Sequence, residues 1–89
     1  MRGRHVCVCG EPAERSIPRG IDGLFVKGGS EEYEMVCGEC YRRIRRLGRR
    51  FRPSFRGYVS VTVLYDPKSR IFTIRAFNEY GIRHISGRV

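Results

Sequence analysis

The apolar positions of the chain follow two different periods. After Cys40, the residues Tyr41, Ile44, Leu47 and Phe51 lie within one arc of a helical wheel. Arg42, Arg43, Arg45, Arg46, Arg49 and Arg50 fill the opposite arc. Pro53 disfavours helical geometry at Arg52, so the spacing predicts a helix that opens at Cys40 and ends near Phe51. Farther on the period drops to two. Val59, Val61, Val63 and Tyr65 share one face of a strand, and Phe72, Ile74 and Ala76 share one face of the next. The turn residues Asp66-Pro67-Lys68-Ser69 between them predict a hairpin. Upstream, the apolar core of Ile21–Lys27 and the alternating Tyr33–Cys37 flank Gly28-Gly29-Ser30 and predict another hairpin. In the tail from Asn78, Ile82 and Ile85 are enough for one more short strand.

With 89 residues the chain makes a single small domain over 1–89. Residues 1–56 hold the cysteines and the basic helix, and 57–89 the second hairpin and the tail. A core this small commonly needs a metal or a disulfide as a supplement. No apolar run approaches the roughly 20 residues of a membrane span. The basic start Met1-Arg2-Gly3-Arg4-His5 leads into no secretory apolar core, so a soluble, cytoplasmic protein is expected.

Charge changes the picture. The net formal charge is +9. Residues 1–41 carry five basic and seven acidic side chains, whereas residues 42–89 carry thirteen basic and two acidic. This asymmetry points to a polyanionic partner met by the C-terminal half. Sixteen of the eighteen basic residues are Arg, whose planar fork suits phosphate and stacks on bases. A GC-rich genome would also favour Arg. The lack of Gln and the single Asn, Asn78, fit a thermophilic source.

Four cysteines supply the candidate chemistry. Cys37-Gly38-Glu39-Cys40 has the C-x-x-C spacing that sets two thiolates on one ion. Cys7-Val8-Cys9 is tighter, with Gly10 available for the turn. Two disulfides, or a redox-active pair at Cys37 and Cys40, are the competing readings. The redox reading lacks a thioredoxin-like context and leaves Cys7 and Cys9 without a role. One structural Zn²⁺ on Cys7, Cys9, Cys37 and Cys40 is the expectation, with His5 able to replace one of them.

A knuckle, a hairpin and a second C-x-x-C that opens a helix resemble the treble-clef zinc fold, over about residues 5–52. The one-residue gap between Cys7 and Cys9 departs from the usual first knuckle and keeps a zinc ribbon as the alternative. The fold class expected is thus a small α+β zinc-binding domain, with one Arg-rich helix followed by a β-hairpin. The resemblance extends to small zinc-containing ribosomal proteins, and implies contact with rRNA and neighbouring ribosomal proteins. Treble clefs also occur in nucleases and protein-interaction modules, so function rests on the site.

The arginines are that site. Arg42, Arg43, Arg45, Arg46, Arg49, Arg50, Arg52 and Arg56 stand in a stretch with no acid from Tyr41 to Tyr65. Arg pairs at i, i+4 repel, and a merely solvated helix face would relieve this with glutamates. Binding to RNA phosphates is expected; Phe55 is placed to stack on an unpaired base, although packing is the role expected of it. A DNA-binding regulator would want Asn, Gln or Ser among its arginines. A protein-interaction adaptor would leave the arginines without a purpose. Catalysis is not expected: His5 and His84 form no pair, and four cysteines close the coordination sphere that a catalytic zinc keeps open.

Overall fold

A computed structural model describes residues 6–51, 57–81 and, as backbone, 83–88. The elements run β1 (Arg15–Ser16), β2 (Gly23–Val26), β3 (Glu32–Tyr33), β4 (Met35–Val36), α1 (Gly38–Phe51), β5 (Ser60–Asp66), β6 (Ile71–Phe77) and β7 (Arg83–Arg88). This is a small α+β architecture with one described helix. Five strands form one sheet in the order β3-β2-β5-β6-β7, and β1 pairs with β4 in a separate ladder.

The C-terminal hairpin forms in the register that its alternation predicts. Val63 faces Ile74 and Tyr65 faces Phe72 across β5 and β6. Val63, Tyr65, Phe72, Ile74 and Ala76 are all buried, while the intervening Thr62, Leu64, Thr73 and Arg75 are half-buried on the other face. Val59, at the end of the same apolar row, lies beyond the strand and is exposed. The tail supplies β7, which includes Ile85; Ile82 lies outside the described residues.

One pairing joins distant parts of the chain. β2 runs parallel to β5, with Leu24 opposite Val63 and Phe25 opposite Leu64. Asp22 clamps the start of this pair. Its N–H donates to the Val61 carbonyl at 2.7 Å, and its Oδ2 accepts from the Val61 N–H at 2.9 Å. Parallel neighbours need a long connection, and here α1 lies within it.

Helix α1 buries Cys40, Ile44 and Leu47, spaced four and three residues apart as one helical face requires. Ile44 and Leu47 join Leu24, Val36, Val63, Phe72 and Ile74 in the core, and Cys7 and Cys40 belong to the same cluster. Full burial of each large apolar side chain contributes on the order of 1.5–3 kcal/mol. The apolar core and the cysteine cluster are therefore continuous. No described helix is long and apolar enough to cross a membrane.

Candidate metal centre and arginine face

Each cysteine pair sits on a turn built by its own backbone. At the first, the Gly10 N–H donates to the Cys7 carbonyl at 2.8 Å, and the Cys7 N–H donates to the Glu11 carbonyl at 2.7 Å. Gly10 has φ 98°, in the left-handed region that a residue with a Cβ enters only at a cost. A Cβ there would meet nothing within 4 Å, so backbone conformation, not space, selects glycine.

The second pair sits on the start of α1. The Tyr41 N–H donates to the Cys37 carbonyl at 2.9 Å, the first turn of the helix, and the Cys40 N–H approaches Cys37 Sγ at 3.4 Å. Cys37 therefore stands where a Ser or Asp cap would stand, with sulfur as the acceptor. The positive end of the helix favours a thiolate there.

The β1–β4 ladder closes the 27-residue gap between the pairs. Arg15 faces Val36 and Ser16 faces Met35, while the Glu14 N–H donates to the Val36 carbonyl at 3.0 Å. This ladder brings the chain just after the first turn alongside the chain just before the second. All four sulfurs then lie within 4.8 Å of one another, and Cys9 Sγ is 3.8 Å from Cys37 Sγ. Cys7 and Cys40 are 1% and 2% exposed, so half of the donor set is sealed from water. Four thiols this close can hold a metal ion, and they form the one such group among the described residues. His5 lies outside those residues.

The thiols are unequal. Burial pushes Cys7 up from its ordinary range. Burial also raises Cys40, and the neighbouring thiols add to it. Burial would raise Cys37 too, but hydrogen bonds from the Cys40 N–H and the surrounding thiols outweigh it and hold this thiol low. The Tyr65 phenol is raised mainly by burial, with Cys9 and Cys40 adding to it, which puts the sheet within electrostatic reach of the cluster.

The arginines of α1 divide. Arg42, Arg45, Arg46, Arg49 and Arg50 are exposed. Arg43 is half-buried, with its guanidinium 4.8 Å over the Phe72 ring and Nη2 donating to the Arg70 carbonyl at 2.6 Å. It serves as a strut between helix and sheet. Arg50 lies over the ring of its neighbour Phe51 at 5.2 Å. Arg49 and Arg50, in the last turn, also complement the negative end of the helix. Arg52, Phe55 and Arg56 lie outside the described residues.

Two arginines before the helix were not among the sequence candidates. Arg15 lies 4.4 Å over the Tyr41 ring, and Arg19 borders a groove beside α1 together with Arg45 and Arg49. Nothing in the local sequence of Arg19 marks it; its position depends on the fold of Pro18–Ile21 against the helix. The chain matches no protein-family profile, no curated protein and no solved structure.

Proposed function

We propose that the chain is a zinc-stabilised, non-catalytic RNA-binding protein of ribosomal or ribosome-associated type, whose Arg-rich helix meets rRNA phosphates. Zinc is the metal that four thiols favour. Tetrahedral Zn–S bonds of about 2.3 Å imply sulfur–sulfur edges of about 3.8 Å, and the Cys9–Cys37 separation is 3.8 Å. A four-thiolate shell leaves no position for substrate, so the ion holds structure. A cysteine that caps a helix, followed by another in its first turn, also supports the treble-clef likeness.

The observation that carries the RNA reading is the row Arg42, Arg45, Arg46, Arg49 and Arg50. All five are exposed, and none forms an ion pair with a described carboxylate. Held on a helix whose first turn belongs to the metal cluster, the row presents a rigid cationic stripe. Such a stripe recognises phosphate spacing, not base sequence, and releases counterions on binding. A cytoplasmic location and contacts with neighbouring ribosomal proteins belong to the same reading.

Native purification followed by co-sedimentation with ribosomes in low and high salt tests it. Ribosome association that weakens as salt rises is expected. A chain found wholly in the free fraction at low salt refutes the ribosomal assignment. A clear preference for duplex DNA over structured RNA would move the protein to the DNA-binding class.

A further inference from the structure

Beside α1 runs a groove of about 410 Å³, within the rough 300–1,000 Å³ range of small-ligand sites. Its wall on one side is the loop Pro18–Ile21 and on the other the helix. Arg19, Arg45 and Arg49 border it, all exposed. The apolar lining comes from Ile21, Ile44 and Val61, with the Tyr41 ring also contributing. Ile21 and Ile44 are buried, so the groove reaches the edge of the core.

Gly48 is the informative residue of this lining. Glycine within a helix destabilises it relative to alanine, and a packing reason usually accounts for one. Packing gives no such reason here. A Cβ at residue 48 would meet Ile21 Cδ1 at 3.8 Å, an ordinary van der Waals contact, and nothing closer. Nor does Gly48 have a positive φ. What glycine does at this position is keep the groove open between two arginines of the helix, one turn above and one residue below.

We infer that this groove receives an unpaired base of single-stranded RNA, while Arg19, Arg45 and Arg49 hold the phosphates on either side of it. The inference rests on the RNA-binding reading above and adds base capture to phosphate contact. Two features favour this occupant. An apolar slot with an aromatic ring in its wall accepts the flat face of a base in any sequence. Three cations at its border demand an anion attached to that flat group, and a nucleic-acid strand supplies both at once. Among the described residues, no carboxylate lies within ion-pair distance of Arg19, Arg45 or Arg49. Duplex RNA keeps its bases stacked inside and can use the arginines but not the groove.

The experiment compares the metal-loaded full chain with its Gly48→Leu variant, which fills the groove and favours the helix. The probes are a short oligouridine, the same strand with one abasic residue, and an RNA duplex of equal length. The expected result is about tenfold weaker oligouridine binding by Gly48→Leu, with duplex binding changed less than about twofold. The wild-type chain should show a similar loss on the abasic strand, a measurement that needs no variant to fold. Equal affinities of wild type and variant for oligouridine, or equal losses on single strand and duplex, overturn the groove while leaving phosphate binding intact. A wild-type chain that binds none of the three overturns the RNA reading and the groove together. Displacement of oligouridine by poly-glutamate from wild type but not from the variant would assign the groove to an acidic protein, and would also overturn the inference.

Discussion

Arg43 donates from Nη2 to the backbone carbonyl of Arg70 at 2.6 Å, across 27 residues of sequence. The same guanidinium lies over Phe72. One side chain thus ties the middle of α1 to the turn between β5 and β6. Arg43→Ala should lower stability by about 2 kcal/mol, combining a charge-assisted hydrogen bond and a cation–π contact. Arg46→Ala should change stability by less than about 0.5 kcal/mol, since it is exposed and relieves repulsion with Arg42 and Arg50. RNA affinity should respond in the reverse order. Urea unfolding beside RNA titration distinguishes the two arginines, and equal stability losses would contradict the strut.

Arg70 itself has φ 60°, the left-handed region, and is the one described non-glycine residue there. The turn that imposes this is closed by the Arg70 N–H donating to the Asp66 carbonyl at 2.6 Å and the Lys68 N–H to Asp66 Oδ1 at 3.0 Å. Arg70→Gly keeps the carbonyl that Arg43 uses and removes a backbone cost of roughly 1–2 kcal/mol. Part of that gain is offset by the entropy glycine adds to the unfolded chain. The net expectation is a stabilisation of about 0.5 kcal/mol, read as a rise of the thermal midpoint by roughly 2–4 °C. A fall in the midpoint would show that the Arg70 side chain contributes more than its backbone costs.

The cysteine cluster is part of the core, so losing a metal bound there should unfold more than a knuckle. Cys40→Ser should abolish stoichiometric zinc and cost at least about 3 kcal/mol, because Cys40 is 2% exposed and shares a cluster with Ile44 and Phe72. Chelator should lower the thermal midpoint of wild type and leave the variant unmoved. Lower pH should act as a chelator does. Thiols must lose protons to bind, so the metal-free form takes up protons and is favoured as pH falls. Zinc release followed with a chromophoric chelator should therefore rise with acidity, and a release curve flat with pH would exclude thiolate ligation.

Salt should report the arginine row directly. If about five phosphates are engaged, the logarithm of affinity for single-stranded RNA should fall with that of salt with a slope near −3.5. Neutralising Arg46 and Arg50 together should reduce its magnitude by about 1.4. An unchanged slope would mean that the exposed arginines do not contact phosphate.

Much of the layout was legible because it follows from short-range rules. The period of three to four after Cys40 gave the helix, although it starts at Gly38, two residues earlier, because Cys37 caps it. Alternation located β5 and β6 with their buried faces. It did not reveal that Tyr33–Cys37 divides at Glu34, with Tyr33 pairing to β2 and Met35–Val36 to β1. Period two records which face a residue takes, not which strand it pairs with. β1 has no apolar signature, since Arg15 and Ser16 are both exposed. The parallel β2–β5 pair is held by Asp22 from outside either strand, a tie that no local pattern encodes. Among the site residues, the cysteines were legible from their spacing. Arg43 was not separable from its neighbours, because it turns inward to meet Phe72, a residue that α1 reaches only in the folded chain.

The parallel pairing of β2 with β5 also sets an order of events during synthesis. Both cysteine pairs, at 7–9 and 37–40, leave the exit channel before Ser60–Asp66 does. Until β5 arrives, β2 has β3 on one side and an open hydrogen-bonding edge on the other. Zinc captured at this stage would hold the nascent N-terminal part together and keep that edge aligned for its late partner. The ion would then act first as a scaffold for an unfinished sheet, and only afterwards as an anchor in a finished one.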